Sequence, residues 1–192
     1  MNLMEFKIAV IGSKMFGDLG LIMNDPNMPP QTEKGFRDDK LTQLIETGAG
    51  NEGLSVPIHV KGGNNISFSN LKDLADEYLT VLATAHEVVA DKNKEGKTIY
   101  QGPSPDEITL VDAAKDMNYE FVKSTQSTTT IKVKGNEKTF DLLEVFPFTS
   151  DRKRMSVVIK SHGVIKMYIK GVSFFLCRPI VSLSRDWLRI RL

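Results

Sequence analysis

Short apolar runs separated by tight-turn residues fill the second half of the chain, and this pattern constrains the fold more than any other feature. Apolar residues recur at every second position within these runs, which is typical of strands with one buried face. Gly135-Asn136 and Ser161-His162-Gly163 are turn signals between successive runs. The predicted strands are Asn118–Lys123, Ile131–Lys134, Phe140–Phe146, Met155–Lys160 and Val164–Lys170. Tight turns between consecutive strands predict an antiparallel, twisted sheet.

Helical spacing appears before this region. Apolar residues in Ser69–Val89 recur at three- and four-residue steps, which predicts a long helix with one apolar stripe. Phe36–Glu46 and Pro105–Met117 are predicted as shorter helices, and Phe6–Ile11 as a strand. Polar or glycine-rich segments are predicted as loops: Thr47–Asn65, Asp91–Thr98 and Ser124–Thr130. The order predicts an α+β domain in which helices flank an antiparallel, twisted β-sheet.

Composition excludes several classes of protein. The chain has 192 residues, of which 41% are apolar, and this is typical of one globular domain. Its net charge of +1 is too small to attract a polyanion such as nucleic acid over the whole surface. Cys177 is the only cysteine, which excludes an internal disulfide and is typical of a reducing compartment. No targeting peptide or transmembrane run is found, so we expect a soluble, cytoplasmic chain. His59, His86 and His162 lack metal-ligand spacing, and His86 is expected to be packed.

The segment Val145–Lys170 combines an aromatic residue with cations. Pro147 should end its strand, so Phe148 could project at the sheet edge, although a strand phenylalanine is more often part of a core. Lys153 stands inside the basic triplet Arg152–Arg154. The triplet is compatible with phosphate contact, with a solvated strand start or with a nucleic-acid patch. An aromatic face for a base and cations for phosphates indicate a nucleotide site.

Lys170 supplies a second cation at the end of the last predicted strand. Strand alternation places it on one face with Lys166 and Tyr168, and a lysine on such a polar face is usually solvated. Gly171 follows it and, having no Cβ, would let a ligand approach the backbone.

Ser104-Pro105-Asp106-Glu107 begins the predicted helix Pro105–Met117 and allows two interpretations. Serine at the N-cap, proline at N1 and glutamate at N3 form a capping box, which is the reading that local sequence favours. Alternatively, Glu107 lies at the mouth of a pocket and accepts a hydrogen bond from an amino group of a ligand.

Several segments together resemble the nucleotide-binding domain of the type IV P-type ATPases, the phospholipid flippases. Thr98–Phe121 resembles the segment around that family's SPDE motif. Asp141–Lys160 resembles its phenylalanine and RKRMS motifs, and Met167–Gly171 resembles its KGA motif. Met4–Asp18 is similar to the segment that enters this domain from the phosphorylation motif.

The resemblance implies a site for ATP or ADP, with Mg²⁺ carried by the nucleotide. Phe148 would stack on adenine, Glu107 would bond to its amino group, and Lys153 and Lys170 would line the pocket. The secondary candidates are Ser104, Asp106, Ser150, Arg154 and Gly171. No catalytic residue and no metal ligand is expected in this sequence.

Departures from the family limit what this chain is expected to do alone. The family's phosphorylated aspartate, in a DKTGT motif, would lie just before Met1, and the sequence does not contain that motif. Residues 1–17 would lead in from the phosphorylation domain, 18–171 would form the nucleotide-binding domain, and 172–192 depart from the family. The chain would hold ATP at the cytosolic face of a membrane without hydrolysing it. Phospholipid and an accessory subunit would be bound only by the intact pump.

Two alternatives remain open at this point. The first is a truncated, non-catalytic module that regulates or binds a partner. The second is a nucleic-acid binder that uses the basic triplet. The nucleotide-site hypothesis, in contrast, predicts no nucleic acid as a partner.

Overall fold

Hairpins and helices make up the first part of the computed structural model, which describes residues 4–12, 14–18, 35–59, 67–171 and 187–189. The elements in chain order are β1 (Ile8–Ile11), β2 (Lys14–Gly17), α1 (Asp39–Thr47), β3 (Gly53–His59), β4 (Ser67–Asn70), α2 (Leu71–Thr84), β5 (Val89–Lys92), β6 (Thr98–Gln101) and α3 (Pro105–Asp116). The strand pairs β1–β2, β3–β4 and β5–β6 are each antiparallel. No helix among the described residues is long and apolar enough to cross a membrane.

A six-stranded sheet forms the second part. Its strands are β7 (Tyr119–Ser124), β8 (Thr128–Val133), β9 (Asn136–Phe146), β10 (Arg154–Ser161), β11 (Val164–Gly171) and β12 (Trp187–Arg189). They lie in the order β12-β11-β10-β9-β8-β7. The neighbours from β7 to β11 pair antiparallel, and β12 runs parallel to β11. The predicted α+β fold with an antiparallel sheet and flanking helices is therefore confirmed.

Side-chain caps fix where the first two helices begin. The Oδ1 of Asp38 accepts the backbone N–H of Leu41 at 2.8 Å, and the Oδ1 of Asn70 accepts that of Asp73 at 2.9 Å. Each bond satisfies one of the N–H groups that the first turn of a helix leaves unpaired. Gly48 ends α1 at φ 77°, a left-handed conformation that glycine adopts without strain.

The long helix α2 ends earlier than its apolar stripe predicts. It stops at Thr84, whereas the prediction ran to Val89. After Ala85 the backbone leaves the helix, and His86 Nδ1 accepts the N–H of Val88 at 3.1 Å. Val89 is 65% exposed and begins β5, so its helical spacing is coincidental. The predicted helix end is wrong because a side chain offered the backbone an alternative partner.

Three predicted loops contain strands. Asp91–Thr98 is largely the β5–β6 hairpin, whose turn is held by Asn93 Oδ1, the acceptor for Glu95 N and Lys97 N. Thr128–Thr130 belongs to β8, and Gly53–His59 is β3. The threonines at the start of β8 show no alternation of apolar and polar residues, so the sequence did not predict a strand there. Pairing with β9 across the sheet stabilises them as a strand. Residues 60–65 of the first loop lie outside the described residues, as does the predicted tail except 187–189.

One apolar core joins the two parts. Ala9, Ile11 and Phe16 of the β1–β2 hairpin belong to the same buried cluster as the stripe of α2 and the helix-facing side of the sheet. The helices cover one face of the sheet, where Phe121 and Val157 are buried. This arrangement brings the start of α3 to the end of β11.

Candidate functional site

Glu107 and Lys170 form a buried ion pair where α3 begins and β11 ends. Glu107 Oε1 lies 2.8 Å from Lys170 Nζ, and the two side chains are 13% and 6% exposed. Glu107 is the third residue of α3, and Lys170 is the penultimate residue of β11. Two of the four predicted site residues are therefore in direct contact.

The face of β11 that carries Lys170 is buried, which corrects the solvated face that the sequence favoured. Lys170 pairs across the sheet with Met155, which is 1% exposed. Lys166 Nζ and Tyr168 OH, on the same face, both lie 2.7 Å from Glu77 Oε1 of α2. Alternation correctly grouped the three side chains, but it does not tell which face the helices cover.

Burial leaves the Lys170 ammonium with spare donors. Desolvation lowers the pKa of Lys170, and the Glu107 carboxylate opposes that shift. Glu107 Oε1, at 2.8 Å, is the close partner of Nζ, and no other acceptor bonds to this ammonium among the described residues. Because an ammonium has three N–H donors, this group retains the capacity to bind an anion or another acceptor.

The helix start of α3 lacks the predicted capping box. Ser104 is the N-cap and Pro105 occupies the first turn as predicted, but the Ser104 side chain makes no capping bond. Glu107 Oε2 accepts the backbone N–H of Glu87 at 3.2 Å instead of turning back to Ser104. The carboxylate is thus held by Lys170 and by the chain after α2, and the capping-box interpretation is wrong. Asp106 is exposed beside it.

His86 is packed in the interior, as expected, close enough to the ion pair for both charges to act on it. Its Nδ1 accepts from Val88, so Nε2 carries the proton and donates to Ala83 O at 3.0 Å. The ring meets Phe121 edge-on at a centroid distance of 4.4 Å. Burial lowers the pKa of His86 to about 4, and the positive charge of Lys170 acts in the same direction. No sequence pattern indicated that this histidine adjoins the site.

Phe148 lies in the loop between β9 and β10 and is 50% exposed. The strand β9 ends at Phe146, before Pro147, so the predicted break in the ladder is confirmed. The guanidinium of Arg152 donates to Pro147 O at 3.1 Å and lies over the ring of Phe146. Phe148 is therefore an accessible aromatic ring on a loop that its neighbours hold.

The basic triplet does not present three equivalent cations. The strand begins only at Arg154, so Arg152 and Lys153 lie in the preceding turn with Ser150 and do not alternate as strand residues. Arg154 Nη1 donates to Arg152 O at 3.0 Å. Lys153 has a φ of 51°, and its ammonium has no hydrogen-bond or ion-pair partner in the described part of the chain. Among the three, Lys153 offers the free charge.

Gly171 makes room for the protein backbone, which corrects the expectation that it admits a ligand. A Cβ at this position would lie 2.4 Å from Lys153 O and 2.6 Å from Arg154 Cβ. Gly171 pairs with Arg154 across the sheet, and the next pair is Met155 with Lys170. The loop after β9 therefore lies at the same end of the sheet as Lys170 and Glu107.

Comparison with known proteins decides the family. The family model described as P-type ATPase, cytoplasmic domain N, matches residues 74–174, which is more than half of the chain. The chain belongs to the P-type ATPases. The matched part is their domain N, and it includes all four predicted site residues.

Individual relatives agree with this assignment. Phospholipid-transporting ATPase tat-1 of Caenorhabditis elegans is 42% identical over 88% of this chain. The probable phospholipid-transporting ATPase IM of Homo sapiens is 31% identical over 91% of it. Phospholipid-transporting ATPase IC of Xenopus tropicalis is 46% identical over 50% of it. The predicted kinship with this branch of the P-type ATPases is confirmed, and the chain spans 8% to 14% of the length of these relatives.

The side chains of this domain N fit a nucleotide. An exposed aromatic ring suits a flat base, and a carboxylate has more lone pairs than Lys170 and Glu87 occupy. Lys170 adds a cation with unused donors, and the half-buried Lys153 adds a second cation. No group of three His, Cys, Asp or Glu side chains that could hold a metal ion occurs among the described residues.

Proposed function

We propose that this domain N binds ATP at the end of the sheet where β9, β10 and β11 meet α3. Adenine stacks on Phe148, and Glu107 accepts a hydrogen bond from its amino group. The observation that carries the proposal is the buried Glu107–Lys170 pair. The carboxylate keeps free lone pairs and the ammonium keeps free N–H donors. The pair lies at the same end of the sheet as the loop that carries the exposed ring of Phe148.

Lys153 and Lys170 provide the charge that an anionic nucleotide needs. Lys170 is nearly buried, so its attraction for an anion is screened less by salt than that of a surface lysine. Lys153 is half-buried in the loop and adds a second cation. Without the rest of the pump the affinity is modest, about 0.1–5 mM. Mg²⁺ arrives bound to the nucleotide.

In the intact pump, this domain delivers the terminal phosphate of ATP to an aspartate in another domain. The relatives are named as phospholipid-transporting, so we propose that phosphorylation there drives phospholipid movement between leaflets. The sequence has no DKTGT motif, so the chain alone holds ATP without hydrolysing it. Domain boundaries at residues 17 and 171 remain predictions.

A nucleic-acid binder receives less support from the same loop. Two of the three cations in the basic triplet donate to groups of the loop itself, Arg152 to Pro147 O and Arg154 to Arg152 O. A patch for phosphate backbones needs several free cations, and its affinity would fall steeply with salt.

Equilibrium titration of the chain with Mg-ATP tests the proposal. Phe148→Ala should weaken ATP binding about 2-fold to 10-fold, because a stacked aromatic contributes about 0.5–1.5 kcal/mol beyond burial. Leu143→Ala is the matched control, since Leu143 is 48% exposed on β9 but outside the loop. Equal affinities for Phe148→Ala and the unchanged chain would exclude the stacking role.

A further inference from the structure

Arg152 joins the two ends of the loop that carries Phe148. Its Nη1 donates to Pro147 O at 3.1 Å, and its Nη2 donates to Ser156 Oγ at 3.2 Å. Pro147 directly precedes Phe148, whereas Ser156 lies in β10 after the loop and is fully buried. The guanidinium also covers Phe146, with Cζ 5.6 Å from the ring centroid. One side chain therefore fixes the strand end before Phe148 against the strand that follows the loop.

The backbone of Arg152 is held as well. Its N–H donates to Thr149 Oγ1 at 3.2 Å, and its carbonyl oxygen accepts from Arg154 Nη1 at 3.0 Å. The next N–H, that of Lys153, donates to Thr149 O at 2.8 Å. A planar guanidinium with several donors in a rigid fork is suited to bridging two acceptors in this way, whereas a lysine ammonium is not.

We propose that Arg152 is a positioning residue that holds the Phe148 loop in place for the base, and that it does not contact the phosphates. This inference rests on the proposed ATP site. Arg152 and Lys153 are adjacent in sequence and carry the same charge, yet they have separate tasks: Lys153 meets the nucleotide's charge, and Arg152 acts through Phe148.

Uncharged adenosine separates these two tasks. The full chain is titrated with ATP and with adenosine, each against Arg152→Gln and Lys153→Gln. Arg152→Gln should weaken the binding of both ligands by the same factor, about 2-fold to 10-fold, since the lost contribution is that of an ordered aromatic stack. Lys153→Gln should weaken only ATP. If Arg152→Gln weakens ATP but not adenosine, Arg152 contacts the phosphates and the inference is wrong.

A double substitution tests whether Arg152 acts through Phe148. In a Phe148→Ala background, Arg152→Gln should change ATP affinity by less than about 1.5-fold, because residues that act as one unit are not additive. An undiminished effect in that background would overturn the inference. An unchanged chain that binds neither ligand would instead overturn the proposed function itself.

Arg152→Lys separates the charge of Arg152 from the geometry of its guanidinium. It keeps the charge but cannot bridge Pro147 and Ser156 as the fork does, so it should lower the affinity for both ligands in the same way as Arg152→Gln. Thermal unfolding of each variant confirms that it is folded before titration. ATP affinity restored to that of the unchanged chain in Arg152→Lys would show that charge alone matters, which contradicts a positioning role.

Discussion

At the scale of single residues, His86 shows how local contacts set the charge of a side chain beside the candidate site. Because Nδ1 accepts the N–H of Val88, the neutral ring is the form that the surroundings satisfy. Its pKa is lowered to about 4, mainly by burial and also by the charge of Lys170, while the charge of Glu107 opposes the shift. The ring therefore stays neutral at physiological pH and adds no third charge to the ion pair.

This arrangement predicts that the domain loses stability as pH falls from about 6.5 to about 4. In that window the unfolded chain binds a proton at residue 86 and the folded chain does not, so lower pH favours unfolding. His86→Gln should remove about 2 kcal/mol of the loss, measured by urea unfolding at about pH 7 and about pH 4.5. His162→Gln, at an exposed position, is the control variant. The same dependence in His86→Gln and the unchanged chain would contradict the account.

At the scale of elements, the Glu107–Lys170 ion pair connects the start of α3 to the end of β11. Neither charge is stable in the interior alone, since removing one partner leaves the other buried without compensation. Lys166 and Tyr168 connect the same strand to α2, because both donate hydrogen bonds to Glu77. The strand is therefore tied to both helices by polar contacts on an otherwise apolar face.

A double-mutant cycle measures how much the Glu107–Lys170 ion pair stabilises the domain. Glu107→Gln and Lys170→Met should each destabilise the domain by about 1–3 kcal/mol, and the double variant by much less than their sum. Urea unfolding of the four proteins gives the coupling free energy. The exposed pair Lys14–Glu52, 3.1 Å apart, is the control and should couple by less than about 1 kcal/mol. Additive effects at Glu107 and Lys170 would show that the pair contributes nothing as a pair.

Elements with a clear periodicity could be predicted from sequence, and those without one could not. The strands β10 and β11 and the helix α3 lie close to their predicted positions, because alternation, turn residues and Pro105 mark them. The strand β9 ends at Phe146 as predicted but begins at Asn136, four residues before the predicted start. Polar pairing in β8 left no periodic signal. The end of α2 depended on a contact between His86 and Val88 that spacing alone does not encode.

The candidate site divides in the same way. Its four main residues were predicted from the motifs and stay predictions. The burial of Lys170 depends on which sheet face the helices cover, and packing between residues distant in sequence decides that. The role proposed for Arg152 depends on the turn before β10, where Lys153 has a φ of 51° and the strand has not yet begun. Both features follow from tertiary contacts.

At the scale of the whole molecule, the α+β core brings residues from α3, the β9–β10 loop and β11 to one end of a single sheet. The turn at Lys134-Gly135 lies between β8 and β9, at the opposite end of β9 from the Phe148 loop. This separation gives an internal reference, because a ligand at the proposed site should leave the far turn unaffected.

Mapping of backbone amide shifts during titration with Mg-ATP therefore tests the central claim most directly. About 5 mM nucleotide occupies roughly half of the sites or more for a Kd of about 0.1–5 mM, so shifts should concentrate at Glu107, Phe148, Lys153 and Lys170. The amide of Gly135 should not move. Shifts centred on the Gly135 turn, or no shifts at that concentration in the folded chain, would contradict the proposal that this end of the sheet binds ATP.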